Sequence, residues 1–598
     1  MQKSFFTAFF VLIVYSLFAQ NITHGPVIGG VTPEKARMYI RADSVQAFTI
    51  EMDTDSNFSA PISFANTTNA NLDNSVITDL TGLQSNTRYY YRVMFDGMAD
   101  QRKGSFRTFP QDGEAGHYVF VTGSCQETPN MKTYELMPTY EPHLMIHTGD
   151  FSYPDYQIAN GYPNDYARVE EGYRKRYEEP EMVEMLWDVP IAYTPDNHDN
   201  WGNSSIGNLR PKNKSVNGKL VNYIEIDSAT QQGKDNCLKA YQDFFPGYKL
   251  VDSTKAYYRK FTMGNIEFFM LDTRSLSTPY SETFRFDTND SLWVFDPKPG
   301  QSIVGQDQMN WLLDGLSNST ADWKFVVCGV PFNKKIKTII DVGLSLQSFE
   351  FEVAGETGTG FRLAASMSDW WGGFPDDINK LLNHVKGNGI NGVMFISGDT
   401  HHNVMDTGEN SGLPEINASG LSVATTELAY QIAQYASLLG QPPITDSLWN
   451  AGGNGLYNEN FKNAFGKIEV FGRDSVQMCI IDEDDVTLSC MTIYPDGKVV
   501  SVEELNPDAR FLEENWIGNI YPNPNNGKMR IELNETLPFE EIQDLSVISM
   551  DGKIYNNRIA PINGHSFELY VPNLSSGIYY VVLKNKDGRF AYKSFVKL

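Results

Sequence analysis

Six apolar runs in the middle of the chain each end abruptly in a polar segment. Continuous apolar runs are typical of strands buried on both faces, so they predict the central strands of a layered α/β domain. Ligands of such folds bind at the carboxyl ends of strands, so we expect the polar segments to converge on one site. The runs, each with its polar segment, are His117–Val121 with 123–126, His143–His147 with 149–153, Val189–Tyr193 with 196–199, Ile266–Leu271 with 272–274, Phe325–Val327 with 328–330 and Val393–Ser397 with 398–402.

Helical patterns lie between these runs, over Tyr166–Trp187, Gln306–Leu316 and Asp376–Val385. The glycines at 387 and 389 end the last of them. Strands and helices together predict one α/β body over residues 116–505. Long insertions at 202–232, 278–302 and 334–368 are expected to shape the entrance to its site.

Residues 24–110 are predicted to form a β-sandwich. Short strand-like runs alternate with turn residues, and the segment from Tyr89 to Val93 after Leu80-Thr81-Gly82 is similar to the tyrosine-corner strand of a fibronectin type III domain. No cluster of ionisable residues suggests chemistry in this segment, so a packing or substrate-lid domain is expected. The strand-like runs are Val27–Val31, Ala36–Arg41, Gln46–Glu51, Val76–Leu80 and Tyr89–Phe95.

Residues 516–598 are predicted to form a second, smaller β-sandwich. Its segments alternate between apolar and polar residues, and Asp551-Gly552 and Asp587-Gly588 stand where hairpin turns are expected. A carbohydrate-binding or spacer domain would have the same pattern. The predicted strands are Lys528–Leu533, Leu545–Ser549, Phe567–Val571, Ile578–Leu583 and Phe590–Val596.

Three motifs in this C-terminal module resemble the C-terminal sorting domain of the type IX secretion system of Bacteroidetes. They are the Tyr-Pro-Asn-Pro opening at 521–524, Ser576-Gly577-Ile578-Tyr579-Tyr580 and the closing 593–598. The resemblance implies the type IX machinery as a partner, passage across the outer membrane of a Gram-negative bacterium and removal of the module.

The N-terminus and the composition bear on where the protein acts. Lys3, an apolar run from Phe5 to Phe18 and Ala19 describe a secretory signal peptide over residues 1–19, with an uncleaved anchor as the alternative. No later stretch is long enough to span a bilayer. The net charge of −26 excludes a nucleic-acid-binding surface, but it permits a small phosphate substrate because metal ions invert a local field.

Four of the polar segments carry residues that suit two metal ions. Asp150 and Tyr153 are three residues apart in one loop, and a phenolate binds only a strong Lewis acid. With a thiolate from Cys125 and an imidazole from His401, these donors favour ferric iron. Asn197, Asp399 and a shared Asp150 offer oxygen ligands only, which suit calcium, magnesium or manganese. His198, next to Asn197, would stabilise charge or protonate a leaving oxygen.

Each motif alone has an ordinary structural interpretation. A Gly-Asp pair after a strand is usually a turn, and Gly-Ser-Cys-Gln is usually a buried turn of small residues. Four such motifs in chain order, each at the end of an apolar run, are hard to explain by packing.

The motifs and their order resemble the PhoD (alkaline phosphatase D) branch of the calcineurin-like metallophosphoesterase superfamily, over roughly residues 24–475. Gly-Ser-Cys stands at 123–125, Gly-Asp-x-x-Tyr at 149–153, Asp-Asn-His-Asp at 196–199 and Gly-Asp-x-His at 398–401. The resemblance implies a metallophosphatase α/β sandwich between two β domains, with ferric iron on Cys125, Asp150, Tyr153 and His401. It implies calcium facing Asp150, Asn197 and Asp399, and His198 as the catalytic residue.

Asn197 departs from the aspartate that this branch has at the same place. The wider superfamily has asparagine there, so a ligand remains with one less negative charge, and the second metal is open. The expected function is a secreted, monomeric phosphoesterase that hydrolyses phosphate mono- or diesters by attack of a metal-activated hydroxide. A catalytically weak, metal-containing cell-surface binding protein is the alternative.

Two further features leave alternatives open. If Cys125 is a ligand, the other four cysteines allow three disulfide pairings; Cys479 and Cys490 flank a hairpin, and Cys328 suits a buried free thiol. Arg274 suits either a contact with a metal ligand or the substrate phosphate, or a structural ion pair with an acid.

Overall fold

The protein structure is a computed structural model that divides into two compact units, residues 1–499 and 500–598. The residues that it describes are 22–127, 131–153, 163–200, 209–216, 219–226, 230–278, 283–290, 292–345, 347, 350–353, 356–423, 448–453, 462–501, 517–521, 527–533, 542–549, 554–555, 558–571, 574, 577–585 and 590–597. The predicted signal peptide lies outside them. Within these residues, no helix has the length and apolar character needed to cross a membrane.

The N-terminal segment consists of strands. All five predicted runs are found, and two further strands, β4 (Ile62–Thr67) and β7 (Met98–Arg107), extend the segment. The strand β4 has no buried residue, so an apolar pattern did not reveal it. The hydroxyl oxygen of Tyr89 accepts a hydrogen bond from the Gln84 backbone at 2.9 Å, the contact expected of a tyrosine corner. The strands are β1 (Ile22–Gly29), β2 (Lys35–Ala42), β3 (Ala47–Asp53), β4 (Ile62–Thr67), β5 (Ser75–Thr81), β6 (Arg88–Phe95) and β7 (Met98–Arg107).

The α/β body contains the six predicted central strands and the shorter strands around them. In chain order these strands are β8 (His117–Gly123), β9 (Leu144–His147), β10 (Ile191–Tyr193), β11 (Leu209–Val216), β12 (Lys219–Ile226), β13 (Arg259–Met263), β14 (Ile266–Met270), β15 (Phe284–Asp287), β16 (Leu292–Phe295), β17 (Trp323–Val327), β18 (Glu350–Val353), β19 (Glu356–Thr359), β20 (Val393–Ser397), β21 (Asn403–Asp406), β22 (Glu415–Ala418), β23 (Ala464–Phe471), β24 (Ser475–Asp482), β25 (Thr487–Ile493) and β26 (Val499–Ser501).

Helices connect these strands. They are α1 (Lys132–Leu136), α2 (Tyr166–Arg176), α3 (Pro180–Asp188), α4 (Asn197–Asn200), α5 (Gln231–Phe244), α6 (Gln306–Asn318), α7 (Lys337–Ser345), α8 (Gly360–Met367) and α9 (Pro375–Gly387). The predicted helices at 306–316 and 376–385 are confirmed by α6 and α9. The single helix predicted over 166–187 is wrong: Pro180 starts a second helix, and Glu179 before it is extended, as the proline ring requires.

Two sheets carry the predicted central strands, three in each. The larger sheet has the order β26-β25-β24-β23-β8-β9-β10-β1-β2-β5, and β8, β9 and β10 in it are parallel. The smaller has the order β13-β14-β17-β20-β22-β21, with β14, β17, β20 and β22 parallel. One residue pair, Gly29 with Ile191, joins β1 to β10, so strands of the N-terminal segment continue the larger sheet.

Side chains of the central strands alternate between two sets of neighbours, as the pleat requires. Phe120, Phe268 and Phe325 meet between the sheets, where Phe120 lies 5.2 Å and 5.1 Å from the other two ring centroids. Val121 points the opposite way, into the layer with α1, α2, α3 and α5, and Phe269 into the layer with α6 to α9. The body is therefore a four-layered sandwich of helices, two sheets and helices.

The hairpin of β24 and β25 contains the disulfide. Cys479 and Cys490 are register partners and are bonded to each other, so this disulfide, one of those left open by the sequence, is present. The prediction of a buried free thiol at Cys328 is confirmed, and Cys125 and Cys237 are buried and free as well.

The second unit has its own core, built from two four-stranded sheets with the orders β27-β28-β32-β31 and β30-β29-β33-β34. All five predicted strands are present, whereas the predicted turns at 551–552 and 587–588 and the proline segment at 522–524 lie outside the described residues. The strands are β27 (Ile517–Tyr521), β28 (Lys528–Leu533), β29 (Ile542–Ser549), β30 (Ile554–Tyr555), β31 (Arg558–Asn563), β32 (Ser566–Tyr570), β33 (Gly577–Asn585) and β34 (Phe590–Lys597).

Candidate active site

The polar segments after five of the central strands meet at one edge of the two sheets. Each sheet contributes, because parallel strands of both sheets end there. The contributing residues are Cys125 after β8, Asp150 and Tyr153 after β9, Asp196, Asn197 and His198 after β10, Arg274 after β14, and Asp399 and His401 after β20.

The backbone turns sharply where these side chains leave the strands. Cys125, Asp150, Asp399 and His401 have φ angles of 60°, 54°, 70° and 58°, in the left-handed region that residues with a Cβ rarely adopt. Each such residue costs on the order of 1–3 kcal/mol, and this strain is typical of functional sites.

Two glycines let the loops approach each other closely around Asp196. A Cβ added to Gly149, which has a φ of 110°, would lie 2.3 Å from the Cβ of Asp196. A Cβ added to Gly329 would lie 2.4 Å from Asp196 Oδ1. Larger residues at either position would therefore push Asp196 out of the site.

The four residues that the sequence assigned to iron lie together. The ligand atoms of Cys125, Asp150 and His401 are all within 4.8 Å of one another. Cys125 Sγ is 3.5 Å from Asp150 Oδ2, and the Tyr153 hydroxyl lies 3.3 Å from the same oxygen. One cation placed among them is within reach of thiol, carboxylate, phenol and imidazole.

A second cluster shares Asp150. A carboxylate oxygen of Asp150 lies within 4.8 Å of oxygens from Asp196 and Asp399. The sequence predicted Asn197, not Asp196, beside Asp150 and Asp399. Asn197 directly follows Asp196 and is buried as the first residue of α4, so the structure adds a carboxylate next to the predicted amide.

His198 lies beside both clusters. Its ring centroid is 4.4 Å from that of Tyr153, with 37° between the ring planes. Its backbone N–H donates to Asp150 Oδ1 at 3.2 Å. The side chain predicted to be catalytic is therefore packed against predicted metal ligands and is itself buried.

Arg274 forms ion pairs and is fully buried. Nε and Nη2 donate to the two oxygens of Asp196 at 2.6 Å and 2.9 Å, and Nη1 donates to Asp369 Oδ2 at 2.6 Å. Nη2 is also 3.2 Å from Asp399 Oδ2, which accepts a hydrogen bond from Trp370 Nε1 at 2.5 Å. Arg274 therefore forms ion pairs with Asp196 and Asp369 and also contacts Asp399, one of the predicted metal ligands.

Asp199 organises the loops but was not singled out by sequence analysis. Its carboxylate accepts hydrogen bonds from the backbone N–H groups of Asp150, Phe151, Ser152 and Asp196, at 2.8 Å, 3.0 Å, 2.9 Å and 2.9 Å. It therefore fixes the loop after β9 against the loop after β10. Its place at the end of the Asp-Asn-His-Asp motif is the sequence feature that could have identified it as a site residue.

Ser419 links two ligand loops in a similar way. Its hydroxyl oxygen accepts from the His401 backbone at 2.8 Å and lies 3.4 Å from Cys125 Sγ. Asp369, Trp370 and Ser419 were not predicted as site residues, because their neighbours in the sequence show no motif for metal chemistry.

Burial dominates the acid–base properties of the cluster. Burial, together with Asp196, raises the pKa of Asp150 to about 6 and holds that of Asp399 well above its usual range. Burial also holds the pKa values of Cys125 and Tyr153 well above their ordinary values. For His401, burial and the nearby His198 lower the pKa to about 4, so its imidazole is neutral and able to bind a metal.

This donor set fits metal cations. Several buried acids lie within a few ångströms of one another, and the crowding makes their ionised forms unfavourable unless positive charge is added. A bound cation reverses that effect, because it stabilises carboxylate, thiolate and phenolate directly. The mixed cluster around Cys125 suits a redox-capable metal, and the cluster of carboxylates suits a hard cation.

Comparison with known proteins shows the family of the chain. The PhoD-like phosphatase family matches residues 120–438, more than half of the chain, and the PhoD-like phosphatase N-terminal domain matches residues 15–110. Alkaline phosphatase D of Bacillus subtilis is 25% identical over 352 residues, which cover 55% of this chain. The chain spans only about half of that relative, 54% of its length.

One solved structure shares the fold. The structure of PhoD matches with a TM-score of 0.58 and 16% identity, over 81% of this chain and 92% of that one. A purple acid phosphatase from yellow lupin seeds matches with a TM-score of 0.48 and 13% identity, over 79% of this chain and 74% of that one. The likeness to PhoD confirms the predicted metallophosphatase sandwich.

The C-terminal module matches the secretion system C-terminal sorting domain over residues 519–597. This match confirms export by the type IX route and a secreted or cell-surface location. With the match over the central domain, the conclusion from the motifs is confirmed: the chain belongs to the PhoD-like phosphatase family.

Proposed function

We propose that this protein is a secreted metal-dependent phosphoesterase that hydrolyses phosphate monoesters, diesters or both. The observation that carries the proposal is the pair of ligand clusters that share Asp150, with the imidazole of His198 beside them. Two cations held by one bridging carboxylate are a recurrent arrangement for displacement at phosphorus.

We assign ferric iron to Cys125, Asp150, Tyr153 and His401, and a hard divalent cation, with calcium first, to Asp150, Asn197 and Asp399. The short distances of Cys125 and Tyr153 to Asp150 support the first set. The closeness of Asp150 to Asp399 supports the second. When bound, such ions supply Lewis-acid stabilisation of phosphoryl oxygens and activate water.

Side chains of the protein orient the reacting groups and transfer protons. His198 is held against Tyr153 and, through its backbone, against Asp150, so its imidazole has a fixed direction at the edge of the site. We assign to it protonation of the leaving oxygen, or stabilisation of the charge that develops there. Asp199 keeps the two loops that carry Asp150 and His198 in register.

The test is metal analysis of the purified full-length protein, paired with hydrolysis of one aryl phosphomonoester and one bis-aryl phosphodiester. We expect iron together with a divalent cation, turnover of at least one ester, and loss of turnover in a strong chelator that is reversed by adding the metals back. Asp150→Ala is the matched negative variant, because it removes the group shared by both clusters.

Two results would overturn the proposal. A metal-loaded protein that turns over neither ester class would be a binding protein with a metal centre, the alternative raised by the sequence. A protein that hydrolyses either ester equally well without metals would require a different catalytic site.

A further inference from the structure

The carboxylate of Asp399 is held by two donors from outside the ligand loops. Arg274 Nη2 and Trp370 Nε1 both approach the same oxygen, Oδ2, at 3.2 Å and 2.5 Å. Two donors on one oxygen restrict rotation of the carboxylate and so fix the direction in which it can present its lone pairs.

Arg274 is itself fixed in place. Its side chain has 0% exposure, and all three of its nitrogens donate hydrogen bonds. The planar guanidinium engages both oxygens of Asp196 at once, so it cannot turn without breaking that bidentate pair. The arginine therefore links Asp196 and Asp399, two members of the second cluster, through one rigid group.

Asp369, in the segment that follows α8, also contacts Arg274. Its Oδ2 lies 2.6 Å from Arg274 Nη1, on the third nitrogen of the guanidinium. Trp370 is the next residue, so adjacent positions contact both the arginine and Asp399. This segment follows the insertion at 334–368, for which the sequence predicted only a part in shaping the entrance.

The geometry excludes a substrate contact for Arg274. A phosphate-binding arginine needs N–H groups that face an open site, whereas this guanidinium is fully buried and donates to three carboxylates. Its charge instead offsets part of the negative charge that Asp196, Asp369 and Asp399 bring into the interior.

We propose that Arg274, Asp369 and Trp370 are positioning residues that set the affinity of the second, divalent cation by orienting Asp399 and by holding Asp196, the residue next to the assigned ligand Asn197. The inference rests on the proposed metal-dependent function and deepens it. On this inference, residues that contact neither the metal nor the substrate set part of the affinity for the second metal.

The sharpest variant is Trp370→Phe, which removes the N–H donor to Asp399 and keeps an aromatic ring. Partners of metal ligands typically change metal affinity by about 10–100-fold when they are removed, and we expect a loss in that range for calcium. Iron content should stay unchanged, because Trp370 has no hydrogen bond to Cys125, Asp150, Tyr153 or His401 among the described contacts. Trp311→Phe is the matched control, since that indole packs against Tyr258 and Phe269.

Asp369→Asn and Arg274→Lys test the rest of the arrangement. The amide at 369 keeps the shape but removes the negative charge beside Nη1, and lysine cannot form the bidentate pair with Asp196. We expect both to weaken calcium binding, and Arg274→Lys to weaken it more. Asp296→Asn, which changes a surface aspartate paired with Arg285 and Lys298, is the control for loss of one carboxylate.

The measurement is a calcium titration of the full-length protein, followed by calorimetry and by activity, with iron content recorded for each variant. Weaker calcium binding, normal iron content and recovery of activity at saturating calcium support the inference. A purely structural role would lower the thermal midpoint without changing the calcium affinity of the folded protein, and that result overturns the inference.

Failure of the proposed function is a separate outcome. If the wild-type protein binds no divalent cation, the proposed metal-dependent function and the positioning inference are both wrong. If it binds iron and calcium and hydrolyses phosphate esters, but Trp370→Phe and Asp369→Asn bind calcium like the wild type, only the positioning inference falls. Asp369→Asn keeps the test decisive if the tryptophan variant does not fold.

Discussion

The phenol of Tyr153 lies 3.3 Å from Asp150 Oδ2, in a loop that also faces Cys125. Burial, with the nearby Asp150, holds its pKa well above the usual range, so the free phenol is neutral at ordinary pH. Only a strong Lewis acid would displace its proton, which is the physical reason for assigning ferric iron.

Phenolate-to-iron charge transfer should therefore colour the protein. We expect a visible absorption band in the iron-loaded protein that Tyr153→Phe abolishes. The check is an absorption spectrum of matched, metal-analysed samples. A colourless and fully active wild-type protein that contains only zinc would contradict the assignment of both Tyr153 and iron.

Replacement of His198 and replacement of Asp150 should have different effects on metal content and turnover. His198→Ala removes a proton-handling group, so turnover should fall by about 10²–10⁴-fold while the metals remain bound. Asp150→Ala should lose both metal and activity, because its carboxylate lies in both clusters. Metal content and kcat of the two variants are the measurements.

His117→Ala serves as the control for loss of an imidazole, since this side chain is 55% exposed at the start of β8, where it pairs with Glu469. It should keep both activity and metals. If His198→Ala instead loses its metals, His198 is a ligand, and the proton-transfer role must belong to another group.

Single residues of the candidate site could be predicted where an abrupt polar segment followed an apolar run. Cys125, Asp150, Tyr153, Asp399 and His401 were predicted in that way, because the end of a buried strand leaves a pattern in the local sequence, and their roles stay predictions. Asp369 and Trp370 approach Asp399 and Arg274 from a segment distant in sequence and without a motif, so their role depends on tertiary contacts alone.

At the scale of elements, the apolar runs predicted the central strands because burial on both faces leaves a strong pattern. The joining of the N-terminal strands to the larger sheet left no such pattern, since one residue pair, Gly29 with Ile191, makes the connection between β1 and β10. A pairing of that kind depends on the fold of both segments and not on the local sequence of either.

His143 makes the contact between β8 and β9 sensitive to acid. It stands just before β9, and its Nδ1 lies 3.3 Å from the Val119 carbonyl oxygen in β8. Burial lowers its pKa from 6.5 to about 4, so the folded protein keeps the ring neutral over a range where the unfolded chain binds a proton. The stability that this neutral ring permits is complete above about pH 6.5 and is lost as the pH falls towards 4.

We expect His143→Gln to reduce the acid sensitivity of unfolding. Between about pH 7.5 and about pH 5, this one histidine should cost the wild type roughly 2 kcal/mol of unfolding free energy, and the variant should lose correspondingly less over the same interval. Urea unfolding at the two pH values measures the difference. His117→Gln is the control, and an equal pH dependence in wild type and His143→Gln would show that His143 does not contribute.

At the scale of the whole molecule, the candidate site and the sorting domain belong to different units. The described site residues all lie within residues 1–499, whereas the sorting-domain match lies within 500–598. The second unit buries its own core, which includes Met529, Phe567 and Val581. A unit with its own core and its own sheets is expected to fold without the rest of the chain.

Deletion of residues 516–598 should therefore leave phosphoesterase activity and the thermal midpoint of the first unit unchanged, and should leave the protein in the periplasm. Fractionation of cells that express either form, with turnover and calorimetry of both purified proteins, gives the comparison. The protein lacking only residues 586–598 is a useful control, because it loses β34, the edge strand beside β33, and tests whether an incomplete module still directs export. If the shortened protein unfolds at a markedly lower temperature or loses turnover, the module stabilises the first unit in addition to directing secretion.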